Sequence, residues 1–142
     1  MKKIVPLMMV VLFTVITHGW SQSKDEKVIT RIITDFAQAG DQNDADGLEK
    51  FLDPNYRIVM NRLFGSTEVS IMPKAVYLDK IRNKEFGGDT RQLKFENIMI
   101  NGNTAIAMVK FSGLKMSFAS FITLVKDDSG NWKLVNEVPV II

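Results

Sequence analysis

The sequence predicts an α+β fold in which a curved, mainly antiparallel sheet wraps around three N-terminal helices. Residues 91–142 contain four runs rich in Ile, Val, Phe and Met, separated by turn sequences at 101–102, 112–113 and 127–130. Runs of this composition and spacing are typical of an antiparallel meander. Amphipathic helical segments precede the meander and can cover one of its faces. We expect the sheet and helices to form a cone with a pocket at its wide end.

The first helix is predicted over residues 24–39, and Gly40 is its expected end. Asp25 and Glu26 lie in its opening turn, where acidic side chains suit the positive end of the helix dipole. Its apolar residues recur at spacings of three and four, so they form one stripe that can face the sheet. These residues are Val28, Ile29, Ile32, Ile33 and Phe36.

A second helix is predicted over residues 45–52, between a capping Asp44 and the sequence Asp-Pro at 53–54. The residue before a proline is pushed out of the helical region, so we expect this helix to end there. A third helix is predicted over residues 74–85, because Pro73 stands where a helix can begin. Its expected buried residues are Val76, Tyr77, Ile81 and Phe86, and its expected end is the glycine pair at 87–88.

A hairpin is predicted between the second and third helices. Residues 56–62 alternate in polarity, the sequence at 64–66 can turn the chain, and residues 67–71 form a second short strand. The side chains expected on one face of its first strand are Tyr56, Ile58 and Met60. The hairpin and the four-strand meander together account for the whole predicted sheet.

The first 21 residues have the layout of a secretory signal peptide. A basic start at residues 2–3 is followed by a largely apolar run at 4–17, and then by small residues at Gly19 and Ser21. The apolar run is shorter than the roughly 20 residues of a membrane span. We therefore expect cleavage after Ser21, a single domain over residues 22–142, and a periplasmic or secreted protein. An uncleaved N-terminal anchor is the alternative.

The expected mature chain has no net charge and contains neither histidine nor cysteine. Removing Lys2 and Lys3 reduces the 18 basic residues to 16, which equals the 16 acidic ones. No basic surface for nucleic acid is expected, nor contact with the membrane after cleavage. The chain has no cysteine, and its one histidine, His18, lies in the predicted signal. His-based triads, cysteine nucleophiles and the usual zinc ligand sets are therefore excluded, and we expect neither a metal nor a cofactor.

The order of elements resembles that of the nuclear-transport-factor-2-like superfamily, and within it the small bacterial proteins described as putative lumazine-binding or polyketide-cyclase-like. The matching residues are at 40–41, 51–54, 77–78, 87–91, 98–105, 124–126 and 130–136. The resemblance implies a cystatin-like α+β cone. Enzymes of the superfamily, such as ketosteroid isomerase-like proteins, use Asp and Tyr inside the cone. No catalytic motif of the superfamily matches this sequence, so we assign no catalytic residue.

Candidate ligand-binding residues are those that could bring a polar or adaptable side chain into the cone. Asp35 is next to the apolar stripe and could act as an acid or base if desolvated, or remain a solvated carboxylate. A tyrosine that faces the cone could donate a hydrogen bond to a ring compound, or be core with its hydroxyl at the rim. The two tyrosines are Tyr56 and Tyr77.

The last predicted strand and the methionines supply the remaining candidates. Regular alternation places Trp132, Leu134 and Asn136 on one face, and the side chains of residues 133, 135 and 137 on the other. A buried Asn136 amide needs partners, which a ligand or neighbouring backbone could supply. Methionines can line an adaptable pocket or pack in an ordinary core. The methionines singled out are Met60, Met99 and Met108.

Three functional hypotheses follow from the sequence. The first is an exported, non-catalytic protein that binds a small hydrophobic or aromatic ligand, such as a pterin-like or flavin-like ring. The second is an isomerase or cyclase that uses a buried carboxylate and a tyrosine without histidine. The third is a dimerisation module, because alternation over residues 116–125 makes both faces of the sheet partly apolar. A homodimer through the sheet is compatible with either of the first two.

Overall fold

The computed structural model describes residues 23–142, and within them the predicted α+β architecture is confirmed. The helices are α1 (Lys24–Asp41), α2 (Ala45–Glu49) and α3 (Lys74–Arg82). The strands are β1 (Leu52–Asn61), β2 (Val69–Pro73), β3 (Arg91–Asn101), β4 (Thr104–Gly113), β5 (Ser117–Lys126) and β6 (Trp132–Ile141). They form one curved, six-stranded sheet in the order β2-β1-β6-β5-β4-β3.

The strand pairing contains the predicted hairpin and the predicted meander. Every neighbouring pair is antiparallel except β1 and β6, which run parallel and join the hairpin to the meander. No helix within residues 23–142 is long and apolar enough to cross a membrane. The predicted signal peptide at residues 1–21 lies outside the described residues.

Helix α1 begins as predicted and continues past Gly40 to Asp41, so the expected end at Gly40 is wrong. Ser23 caps the helix by accepting a hydrogen bond from the backbone N–H of Glu26. Gly40 serves another purpose, because a Cβ there would lie only 3.0 Å from Nη2 of Arg91. The glycine is therefore explained by close packing against β3 rather than by helix termination.

Helix α2 is shorter than predicted and ends at Glu49. The Asp44 cap is confirmed, since its side chain accepts a hydrogen bond from the backbone N–H of Gly47 at 2.9 Å. Leu52 and the Asp-Pro sequence at 53–54 already belong to β1, so the prediction of a helix up to Leu52 is wrong. A residue before proline favours the extended region, which suits a strand as well as a helix end.

Helix α3 begins directly after Pro73, as predicted, and ends earlier than predicted, at Arg82. Its buried face contains Leu78 together with the expected Tyr77 and Ile81. Val76 was expected to be buried, but its side chain is 44% exposed because it points away from the sheet.

The sheet has an inner face that packs on the helices and an outer face without a cover among the described residues. The inner face is defined by four alternate side chains of β4, each 0–1% exposed: Ala105, Ala107, Val109 and Phe111. They pack in one core with the buried stripe of α1, represented by Ile29, Ile33 and Phe36. This core occupies the space between α1, α3 and the sheet.

A β-bulge in β6 decides which of its side chains face inward. Leu124 of β5 pairs with Leu134, whereas Thr123 pairs with Asn136, so Val135 is one extra residue in β6. The alternation is therefore reversed after Leu134. Asn136 lies on the outer face and Glu137 on the inner face, so the prediction that Asn136 shares a face with Leu134 is wrong.

Candidate functional site

The inner face leaves a cavity of about 260 Å³ at one end. Glu137 of β6 lies at its floor, its walls come from α1, α3, β1, β3, β4 and β5, and its mouth lies between the connecting segments. Most of the lining is apolar. The lining residues are Phe36, Gly40, Ile58, Met60, Leu63, Phe64, Tyr77, Ile81, Glu85, Phe86, Gly87, Asp89, Arg91, Phe111, Lys115, Met116, Phe118, Glu137, Pro139 and Ile141.

Glu137 is the buried carboxyl group of this pocket, with its side chain at the floor and the residue only 5% exposed. Tyr56 Oη donates a hydrogen bond to Oε2 of Glu137 at 2.8 Å, and Ser120 Oγ donates one to Oε1 at 2.8 Å. Burial raises the pKa of Glu137 above its ordinary value of 4.5, although these two hydrogen bonds and the charge of Arg91 oppose the rise. The carboxyl can therefore take up or hold a proton more readily than an exposed glutamate.

Tyr77 brings a free phenol into the same pocket. Its ring packs between those of Tyr56 and Phe86, with centroid distances of 5.7 and 6.5 Å. Burial and the nearby Glu137 charge raise its pKa, so the phenol keeps its proton at neutral pH. Its hydroxyl makes no hydrogen bond with the described residues, in contrast to that of Tyr56. A ligand can therefore supply its partner.

Arg91 places a guanidinium group in the pocket wall. Its Nε donates to Asp41 Oδ1, and its Nη2 donates to the carbonyl oxygen of Ala37 at 2.8 Å. The guanidinium also lies over the rings of Phe111 and Phe118, at 5.5 and 5.9 Å from their centroids. These contacts tie β3 to the end of α1 and hold one positive charge near Glu137.

The mouth of the pocket is held in shape by backbone contacts. Asp89 accepts hydrogen bonds from the backbone N–H groups of Leu114, Lys115 and Met116, which fixes the turn between β4 and β5. Gly87 has a positive φ of 74°, and a Cβ there would collide with the carbonyl oxygen of Gly40. The turn after α3 can therefore lie directly on the end of α1.

The structure brings three of the candidate residues from the sequence to this site. Met60 and Tyr77 line the pocket, and Tyr56 contacts it through Glu137. Tyr56 and Met60 lie where the alternation of β1 is regular, and Tyr77 lies on the buried face of α3.

Four other candidates do not reach the pocket. Met99 is 57% exposed on the outer face, and Met108 pairs with Phe121 on that face. Asp35 is half-buried on α1 and does not line the pocket. Asn136 also lies outside, where its Oδ1 is buried without a hydrogen-bond partner among the described residues. The alternative in which these four side chains point into the cone is therefore not met: the inward positions of the sheet are set by its bulges and pairing, and those of α1 by its packing.

Sequence reasoning missed Glu137, Ser120 and Arg91. A local signal existed for Glu137, which is the one charged residue in the apolar run over residues 134–142. No local signal indicated Ser120, because a serine in a strand is usually unremarkable. No three acidic or histidine side chains within residues 23–142 lie close enough to hold a metal ion.

Comparisons with known proteins place this sequence in a family. The sequence matches the model of the family described as "Putative lumazine-binding" over residues 24–138. No curated protein matches it.

Solved structures share the fold at low sequence identity. An NTF2-like protein of unknown function from Shewanella baltica OS155 has a TM-score of 0.72 at 18% identity, covering 83% of this chain and 94% of that one. A ketosteroid isomerase-like protein from Erwinia carotovora atroseptica has a TM-score of 0.66 at 10% identity, covering 84% and 98%. A cystatin-like domain of unknown function from Nostoc punctiforme PCC 73102 also has a TM-score of 0.66 at 10% identity, covering 86% and 80%.

Proposed function

This chain belongs to the family described as "Putative lumazine-binding", and from that premise we propose that it binds a small ring compound in the pocket above Glu137. The observation that carries this proposal is a buried carboxyl group beside an unpartnered phenol, Tyr77, at the floor of an otherwise apolar cavity. Ligand pockets are commonly apolar with a few convergent polar groups. The proposed role is binding without chemical conversion of the ligand.

The polar groups favour a ring with a lactam edge, as lumazines, pterins and flavins have. Each oxygen of Glu137 accepts one hydrogen bond within the protein, and a carboxylate oxygen has a second lone pair for a ligand N–H group. The hydroxyl of Tyr77 can donate to an adjacent ring carbonyl. An N–H group next to a C=O group is therefore complementary to this pair of side chains.

Isothermal titration calorimetry with lumazine, pterin and riboflavin tests this proposal. We expect at least one of them to bind, and Glu137→Gln to weaken that binding by about tenfold or more, because a hydrogen bond to a charged group contributes about 1.5–3 kcal/mol. The matched control is Glu96→Gln, which makes the same exchange on β3 outside the pocket. The proposal fails if none of the three compounds binds, or if Glu137→Gln binds them as well as the wild type.

A second candidate function is proton transfer next to a ketone, and the same two side chains favour it. The carboxylate of Glu137 would take a proton from the carbon between a carbonyl and a C=C bond, while Tyr77 donates a hydrogen bond to the resulting enolate oxygen. Glu137 would then return the proton to the far carbon of the former C=C bond, which completes an isomerisation. A β,γ-unsaturated ketone on a single ring system, whose conjugation is followed by absorbance, tests this activity; an unchanged spectrum at high protein concentration would eliminate it.

We also propose that the protein forms a homodimer through the outer face of the sheet. One row of apolar side chains crosses this face from strand to strand, following the pairing register. Its members are Ile71, Val59, Val138, Phe121 and Met108. Ile71 is 63% and Phe121 45% exposed, and a contiguous apolar surface of this kind is typical of an interface.

Light scattering after size exclusion tests the dimer. We expect the protein over residues 22–142 to have twice its monomer mass, and Phe121→Glu to reduce it to the monomer mass. Val76→Glu is the matched control, since Val76 is equally exposed at 44% but lies on α3, away from the outer face. A wild-type protein with the monomer mass at micromolar concentration would refute the proposal.

Export is the third part of the proposal, and it rests on the sequence of residues 1–21. Expression of the full chain in a bacterial host with two membranes should yield a periplasmic protein whose N-terminus is Gln22. Mass spectrometry of the intact protein from each cell fraction measures both. Recovery of the full-length chain from the cytoplasm would contradict export, and full-length chain in the membrane fraction would indicate an uncleaved anchor.

A further inference from the structure

Within residues 23–142, most of the exposed large apolar side chains lie in two places, the outer face of the sheet and the mouth of the pocket. The mouth has five of them, which we call the rim. Phe64, Met116 and Ile141 line the pocket directly, with exposures of 69, 39 and 44%. Leu114 is 88% exposed in the turn beside Met116. Ile142, 62% exposed, is held next to that turn by the hydrogen bond that its N–H donates to Ser117.

Most of the acidic side chains of the mouth are already engaged within the protein. Asp89 accepts bonds from the backbone of the β4–β5 turn, Glu85 forms an ion pair with Lys80, and Asp41 forms one with Arg91. A substituent that donates hydrogen bonds at the mouth would therefore find few unoccupied carboxylates, and Lys115 is the one cationic side chain among the described residues that line the mouth. An apolar substituent would find the rim, whose side chains otherwise remain in water.

The size of the cavity limits how much of a ligand can lie inside it. Its 260 Å³ equal the volume of roughly nine molecules of liquid water, at about 30 Å³ each. This is below the range of most small-molecule pockets, about 300–1,000 Å³. A single ring system fills such a volume. Any further substituent of the ligand has to extend through the mouth and across the rim.

We propose that the natural ligand is an amphiphile whose polar ring edge lies at Glu137 and Tyr77 and whose hydrocarbon substituent extends across the rim. This inference rests on the proposed ring-binding function and adds the chemical class of the ligand. The pocket thus has its polar groups at the floor and its apolar surface at the opening. A ligand with the same polarity, polar end first, covers both at once.

The physical consequence is a dependence of affinity on chain length. Each methylene group that moves from water onto an apolar surface gains up to about 0.8 kcal/mol, which corresponds to a factor of about four at full burial. We expect about twofold to fourfold tighter binding per methylene while the chain crosses the rim, and no further gain once the chain has passed it.

The experiment measures dissociation constants by calorimetry for lumazines with methyl, butyl, hexyl and decyl chains on a ring carbon. A parallel series of primary alcohols from butanol to decanol carries the chain without the ring. In the double variant Phe64→Ser, Leu114→Ser, the factor by which each methylene tightens binding should fall to nearly one in both series. The matched control is Val76→Ser, an exposed apolar side chain outside the rim, which should leave the gain unchanged.

The outcomes separate this inference from the proposed function. If methyl-lumazine binds but longer chains bring no gain, the inference is overturned while ring binding stands. If the gain per methylene appears in both series and Glu137→Gln leaves the binding of methyl-lumazine unchanged, the rim is confirmed and the ring edge is placed wrongly. If neither series shows a gain in the wild type, or if the gain survives in the rim variant, the proposed hydrocarbon path is wrong.

Discussion

The two ends of the inner face differ in how closely their side chains pack, although the same helices and the same strand β6 contribute to both. At the closed end, Trp132 and Leu134 are 2% and 0% exposed, and the indole N–H of Trp132 donates to Asp25 of α1. At the open end, Glu137 and Ile141 line a cavity. The difference arises after the bulge at Val135, where the strand turns Glu137 toward a cavity that the side chains of α1 and α3 line but do not fill. One strand can therefore provide a close-packed core and a binding site.

The largest expected effect is a difference in stability between two variants, each with one aliphatic side chain of β6 truncated, one at the closed end and one at the open end. Leu134→Ala leaves a cavity in close-packed surroundings and should lower the free energy of unfolding by about 2–5 kcal/mol. Ile141→Ala, in the same strand, should cost about 1 kcal/mol or less, because that side chain is 44% exposed. Urea denaturation of both variants measures the two values. Equal losses would show that the open end is packed as closely as the closed end.

A smaller effect should distinguish the two tyrosines. Tyr56→Phe removes the donor to Oε2 of Glu137 and should lower the free energy of unfolding by about 1–3 kcal/mol at pH 7. Tyr77→Phe removes a hydroxyl without a partner among the described residues and should change it by no more than about 0.5 kcal/mol. A loss at Tyr77 as large as that at Tyr56 would mean that the pocket has no free phenol.

The buried carboxyl should make stability depend on pH. Because the folded state raises the pKa of Glu137 above 4.5, the folded protein binds a proton more tightly than the unfolded chain. This contribution to stability is complete below about pH 4.5 and is lost as the pH rises through the raised pKa. In Glu137→Gln it is absent. We therefore expect thermal unfolding at a series of pH values to favour the variant increasingly as the pH rises; a constant difference would mean that the folded protein leaves this pKa unchanged.

The smallest effect should be local, in the turn that frames the mouth. Both oxygens of Asp89 accept backbone hydrogen bonds, so Asp89→Asn must lose some of them. Hydrogen exchange at residues 114–116 should accelerate while global stability stays nearly constant. Asp127→Asn is a matched control, because a single oxygen of Asp127 accepts both backbone bonds of its turn and an asparagine retains that oxygen. Unchanged exchange in Asp89→Asn would show that other contacts hold the mouth.

Local patterns predicted those parts of the site that depend on regular elements. The alternation of β1 placed Tyr56 and Met60 on the same face of the strand, and Tyr77 was among the residues of the third helix expected to be buried. Asn136 was misplaced because alternation assumes a strand without a bulge. Glu137 was missed for the same reason. Without the bulge, regular alternation assigns Glu137 to the face opposite Leu134, which is the outer face.

The sequence by itself determined the class of the fold, the order of its elements and the meander, because turn residues and apolar periods act over a few positions. The tertiary structure alone decided that Glu137 faces inward, that Ser120 and Tyr56 are its donors, and that Arg91 stands close by. Tyr56 and Glu137 are 81 positions apart in the chain. Their contact depends on the parallel pairing of β1 with β6 and on one extra residue in β6, and neither is encoded in a local pattern.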